Sequence, residues 1–162
     1  MIAYPVGASG EVLLFHAEVI ARFKRHQQLR WWQCEAGGQL FARFRGDAID
    51  IVEATGPRRS DRRSRYNYEP DRRAEQREID ERFPLGLHFI GDWHTHPEDY
   101  PGPSGIDLRS TAEGVRKSRH GLHAFVMVIA GRVPFPAGLY VALYDGNAHH
   151  VLEPALRGGS ED

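Results

Sequence analysis

In the stretch WHTHPEDYPGPSGID, His94 and His96 stand one residue apart, Pro97 follows, and Ser104 and Asp107 close the segment. Residues two apart on an extended strand project from the same face. Both imidazoles can therefore hold one metal ion from a single rigid element, while Trp93 and Thr95 face the other way. Asp107 lies at the start of the next predicted helix, where a tight PEDYPGP loop can bring its carboxylate back as a third ligand. Two imidazoles and a carboxylate leave a fourth tetrahedral position for water, the pattern of a catalytic zinc. Such a centre also needs a base for the water proton and a donor for the developing oxyanion.

A blander reading competes. Ser104 followed three residues later by Asp107 matches a helix N-terminal capping pattern, with aspartate in place of the usual glutamate or glutamine. A lone histidine at a strand end is also more often a packed or surface residue than a ligand. The joint pattern tips the balance. With residue types at a few per cent each, His94, His96, Pro97, Ser104 and Asp107 match together at no more than about one in a million starting points.

The whole chain sets the frame for that stretch. Its 162 residues suit one domain, 1–162, with a core that needs no staples. A formal net charge of -1 gives no general attraction to nucleic acid or to an anionic membrane. Cys34 is the only cysteine, so an intramolecular disulfide and a thiolate-rich zinc site are both excluded. MIAYPVGASGEVLLF lacks the basic-then-apolar pattern of a signal peptide, and no run approaches the ~18 apolar residues of a membrane span. The expected setting is cytoplasmic.

The elements that must position the histidines can be read in order. EVLLF (11–15) predicts a short strand. HAEVIARFKRHQQL predicts an amphipathic helix, with Val19, Ile20 and Phe23 at helical spacing. EAGGQLFARFRGDAIDIVEATGP predicts two strands around a turn at Arg45–Asp47, with Leu40 and Phe44, then Ile49 and Ile51, on alternating positions on either side of that turn. Segment 57–82 changes character: it carries nine arginines and seven acidic residues. PRRSDRRSRYNYEP predicts a loop, and DRRAEQREIDERF a helix supported by a Glu78–Arg82 pair and an Ile79–Phe83 contact. LHFIGDWHTHP predicts the histidine strand, ending at Pro97. SGIDLRSTAEGVRKSRH predicts a helix capped by Ser104, HAFVMVIAG a buried strand, and LYVALYDG with AHHVLEP a closing hairpin. Residues 155–162 predict a disordered tail. Strands and helices without regular alternation indicate α+β, with a helix on each side of a sheet.

With those residues in view, the sequence resembles the JAB/MPN (JAMM) zinc metalloproteases. Their signature is a distant glutamate, then His-x-His-Pro, then Ser-x-x-Asp; the second part stands complete in HTHPEDYPGPSGID, and CEAGGQLFARF matches the glutamate segment. The resemblance implies a mixed β-sheet flanked by helices in a cytidine-deaminase-like sandwich. It implies one zinc ion per chain, held by His94, His96 and Asp107. It implies that Glu35 deprotonates the catalytic water and passes the proton to the leaving amine, and that Ser104 donates to the oxyanion. Tryptophan before the first histidine is similar to bacterial JAB proteins encoded beside activating and conjugating enzymes in CBASS-type antiphage operons. That similarity implies an isopeptidase that releases a ubiquitin-like protein, or a cyclic-nucleotide synthase joined through its C-terminal tail, from target lysines. The extended tail is expected to lie beside the site as an added strand. The alternatives are a peptidase trimming ubiquitin-like or sulfur-carrier precursors, and a noncatalytic MPN scaffold, whose relatives typically lack one or more ligands.

Other features carry less. Cys34 adjoins Glu35, but nothing local supplies a base or a lowered pKa, so it is expected to be a small strand residue. Five arginines fall within residues 58–65, yet the acidic residues that follow compensate much of that charge. A solvated loop is expected there, with substrate docking as the functional reading and nucleic-acid binding disfavoured. His149 and His150 would face opposite sides of a strand and make a poor chelating pair. Trp31 and Trp32 are expected to pack in the core.

Overall fold

The computed structural model describes residues 1–117 and 124–155. Ten strands and three helices run β1 (Ile2–Pro5), β2 (Val12–Phe15), α1 (Ala17–Arg25), β3 (Gly37–Arg45), β4 (Ala48–Ala54), β5 (Arg62–Ser64), β6 (Asn67–Glu69), α2 (Arg72–Arg82), β7 (His88–Thr95), α3 (Gly105–Lys117), β8 (Phe125–Ala130), β9 (Leu139–Tyr144) and β10 (His149–Val151). Eight strands form one mixed sheet in the order β1-β2-β4-β3-β7-β8-β9-β10; β5 and β6 pair separately. Only β2–β4 and β7–β8 are parallel among the described pairings. The chain returns to β8 through α3, the kind of helical crossover that parallel neighbours require. Beyond β10, the amide of Ala155 donates to Ala3 O, which ties the last segment back to β1. The architecture is α+β, as the sequence predicts.

Helix α1 buries Val19, Ile20 and Phe23, the residues whose spacing predicts it, and ends sooner than expected, at Arg25 with His26 as C-cap. Phe23 stacks on Trp93 at 5.1 Å between ring centroids. Trp93 and His94 point to opposite faces of β7, so α1 covers one face and leaves the other to α2, α3 and the histidines. Strand β8 is buried along its whole length, which suits a central strand covered on both faces.

Several expectations need correction. Strand β1 was not anticipated; four residues ending in proline make a weak signal, and β1 exists through its antiparallel register with β2. The stretch read as a loop contains the β5–β6 hairpin. Although it shares the alternation of Leu40, Phe44 is exposed at the end of β3. Trp31 and Trp32 are 77% and 62% exposed, packed edge to face on each other instead of in the core. Cys34 precedes β3 rather than lying in a strand. The tail over 156–162 and the expected helix end over 118–120 lie outside the described residues.

The Glu78–Arg82 side-chain pair does not form. Arg82 donates instead to Glu53 Oε1 and covers the Phe41 ring at 4.9 Å, while Glu78 receives a two-pronged contact from Arg58, both bonds at 2.6 Å. Arg58 is thus an internal anchor: its side chain is 10% exposed and also faces the Asp61 carboxylate, whose side chain is fully buried. Removing one partner of a buried ion pair strands the others, at a cost of about 3–5 kcal/mol. Arg58→Ala is expected to lose about that much stability in urea unfolding, an effect outside the reach of a solvated docking arginine.

Candidate metal centre and catalytic base

The antiparallel register of β3 on β7 pairs Gly37 with His94 and Gly38 with Trp93. One step further, Thr95 N donates to Ala36 O at 2.8 Å. Glu35 therefore arrives opposite His96, on the same face of the sheet. Thr95, on the other face, fastens this junction. Its hydroxyl accepts from Ala36 N at 2.9 Å and donates to the buried Gln28 Oε1 at 3.0 Å. The threonine between the histidines thus extends the β3–β7 pairing to Ala36, the residue next to Glu35. Its alternation was legible in the sequence, but its partners were not.

The third group comes from α3. Ser104 N donates to Asp107 Oδ2 at 2.7 Å, and Asp107 N donates to Ser104 Oγ at 3.1 Å. This reciprocal cap satisfies the free amides of the helix start. It also fixes the Asp107 carboxylate towards the strand, so the capping and metal-binding readings describe one arrangement. Asp107 Oδ1 stands 3.3 Å from His94 Nε2, and Oδ2 stands 3.3 Å from His96 Nε2. The two Nε2 atoms are 3.1 Å apart.

One ligand atom from each of His94, His96 and Asp107 falls within 4.8 Å of the others. These donors fit a divalent cation of the zinc type. Two imidazole nitrogens face each other beside a carboxylate, and no Lys or Arg among the described residues forms an ion pair with it. His96 turns Nε2 to the centre and Nδ1 outward, where Glu98 Oε1 lies at 3.6 Å.

Glu35 stands just outside this triad, with Oε1 3.9 Å from His96 Nε2 and only 6% of the residue exposed. It is not the solvated carboxylate that the start of a strand suggests. Burial pushes its carboxyl up to about 7, against the pull of His96 and with the help of Asp107 and Glu98. A group near neutrality can both accept and return a proton at physiological pH. Burial would also raise Asp107, but its bonds to both imidazoles hold it well below the usual carboxylate range. His96 is opposed by burial yet held above the ordinary imidazole value by Asp107, Glu35 and Glu98. Two carboxyls in one site are thus pushed in opposite directions, a separation expected of groups with different roles.

Glu35, His94, His96, Ser104 and Asp107, the residues to which the resemblance gives roles, are brought together at this place. His149 and His150 do not: they lie on β10, where His150 pairs with Asp145 at 2.7 Å.

The profile of prokaryotic homologs of the JAB domain matches residues 16–141. A protein of Escherichia coli named CD-NTase/cGAS isopeptidase is 33% identical over 119 residues, spanning 72% of this chain and 74% of its own. A Pseudomonas aeruginosa protein of the same name is 33% identical over 151 residues, spanning 84% and 85%. Among solved structures, the solution structure of a Desulfitobacterium hafniense protein superposes with a TM-score of 0.61 at 17% identity. That match covers 86% of this chain and 88% of that one, and it speaks to the fold alone.

Proposed function

The chain belongs to the prokaryotic homologues of the JAB domain, and from that membership we propose that it is a zinc-dependent isopeptidase of the JAMM type. The observation that carries the reading is the convergence of His94, His96 and Asp107 with a buried glutamate 3.9 Å from one of the imidazoles. His94, His96 and Asp107 would hold the zinc, which when bound would polarise a carbonyl and lower the pKa of a bound water to about 7.

The remaining steps fall to this chain's own side chains. Glu35 takes a proton from the attacking water as its oxygen bonds to the carbonyl carbon. The hydroxyl proton of Ser104 is free to point outward, because its oxygen is the acceptor in the cap, and it donates to the oxyanion. Glu35 then returns the proton to the leaving lysine amine as the C–N bond breaks. The products are a free C-terminal carboxylate and an intact lysine.

The substrate we propose is a CD-NTase joined through its C-terminal tail to a lysine, the class that the relatives' name supplies. Such a linkage has to be made by activating and conjugating enzymes. The tail would lie extended beside the site as an added strand, contributing main-chain hydrogen bonds.

The test is incubation of the purified chain with a lysine-linked CD-NTase conjugate and with a linear fusion of the same residues, followed by mass analysis. Cleavage of the conjugate at the tail carbonyl is expected, abolished by a chelator and restored by zinc. Tight binding of the conjugate with no cleavage after zinc addition would favour a scaffold. Cleavage of the linear fusion alone would favour a precursor-trimming peptidase.

A further inference from the structure

The arginine-rich segment holds Glu35 by its main chain, and we propose that Arg63 is a positioning residue for that glutamate. The inference rests on the reading of Glu35 as the base. Glu35 N donates to Ser64 O at 2.7 Å, and Arg63 Nε donates to Glu35 O at 2.6 Å. Both hydrogen-bonding groups of the residue's backbone are thus engaged by two consecutive residues of β5. Pairing with β7 takes over only at Ala36. Without β5, the last residue before that junction would carry an unmatched amide and carbonyl, and its side chain would follow the backbone's freedom.

The hairpin that supplies these contacts is itself anchored. Tyr68 of β6 lies over Gly37: a Cβ on that glycine would fall 2.5 Å from the ring. The Tyr68 hydroxyl donates to Asp61 at 3.1 Å, and Arg58 carries the connection to Glu78 of α2. On the other side, Gln28 Nε2 donates to Arg65 O at 2.8 Å. A continuous set of bonds therefore runs from α2 through the hairpin to Glu35.

In its cleft Arg63 meets no carboxylate that would draw its donor away from Glu35 O. The cleft around it is lined by Arg25, His26, Gln33 and Cys34, which offer no carboxylate. Among the described residues its guanidinium pairs with no carboxylate, while its Nε–H donates to Glu35 O. The bond and the charge are separable by substitution. A catalytic group displaced by about 1 Å can lose roughly 10²-fold in rate.

Two substitutions divide these roles. Arg63→Gln places an amide Nε2 the same number of bonds from Cα as the arginine Nε, keeping the donor and removing the charge. Arg63→Met keeps the length and removes both. On the conjugate assay, Arg63→Met is expected to lower kcat roughly 10- to 100-fold at unchanged KM, with Arg63→Gln within about threefold of wild type. Amide exchange over residues 35–37 should quicken in Arg63→Met and not in Arg63→Gln, at equal metal content. Equal losses in both variants with a raised KM would overturn the proposal in favour of charge-based docking. Unchanged kcat in Arg63→Met would overturn it outright. Glu35→Gln assayed in parallel separates the two readings. If that variant keeps full activity, the assignment of the base has failed. If it is inactive while Arg63→Met cleaves normally, only the brace has failed.

Discussion

Glu35→Gln lowers cleavage of a lysine-linked conjugate by roughly 10²–10⁴-fold, the range contributed by a positioned acid–base group, and leaves metal content at the wild-type level. The asymmetry follows from the geometry. His94, His96 and Asp107 present their ligand atoms to one another, and Glu35 approaches only His96, at 3.9 Å. Glutamine keeps the shape and a carbonyl oxygen but cannot take a proton. Stability moves in the opposite sense from a typical core substitution. Because burial raises the folded-state pKa of Glu35 to about 7, its ionised form is disfavoured in the fold, and stability declines as pH rises from the unfolded carboxyl value through that range. The neutral amide removes this cost. The metal-free variant is expected to melt no lower than metal-free wild type at pH 8, as scanning calorimetry can check.

Asp107→Ala has the second large effect, and it acts on two levels. The carboxylate faces both imidazoles at 3.3 Å and also accepts from Ser104 N at 2.7 Å. Alanine removes a ligand and a helix cap together. Loss of the cap alone costs about 1 kcal/mol. Loss of the ligand is expected to weaken zinc binding by well over the ~10–100-fold seen when outer partners of a ligand are removed, with cleavage falling to background. Asp107→Asn separates the two. Its side-chain oxygen still caps α3, so stability is expected to return most of the way. Its lost charge leaves zinc binding weak, as competition with a chromogenic chelator would show. Normal zinc affinity in Asp107→Asn would remove this residue from the metal centre.

The contrast between what the sequence announced and what it concealed has a physical basis. His94, His96 and Asp107 were legible because two local periodicities, a strand alternation and a cap three residues long, lie within one short segment. Helix α1 was legible for the same reason: Val19, Ile20 and Phe23 form one stripe. Glu35 was not legible without the family resemblance. Its position depends on cross-strand pairing with residues far along the chain, and no local pattern distinguishes it from other acidic residues.

The β5–β6 hairpin was concealed more deeply. Its residues are polar, and its order comes from Gln28, Tyr68 and the backbone of Glu35 rather than from an apolar face. Arg58 and Arg63 looked like members of a solvated run. In the fold each has a specific partner: the Arg58 side chain is only 10% exposed, and Arg63, though exposed, donates to Glu35 O, while the neighbouring Arg62 side chain is 84% exposed. Trp31 and Trp32 misled in the other direction, because the preference of tryptophan for burial is only a tendency.

The measurement that tests the account most directly is the metal content of the purified chain, taken on the same samples as its cleavage of a lysine-linked conjugate. About one zinc per chain is expected, retained in Glu35→Gln, lost in His94→Ala, and accompanied by cleavage in the wild type alone. A wild-type protein that takes up no zinc on reconstitution, or a Glu35→Gln variant that cleaves as fast as wild type, would contradict it.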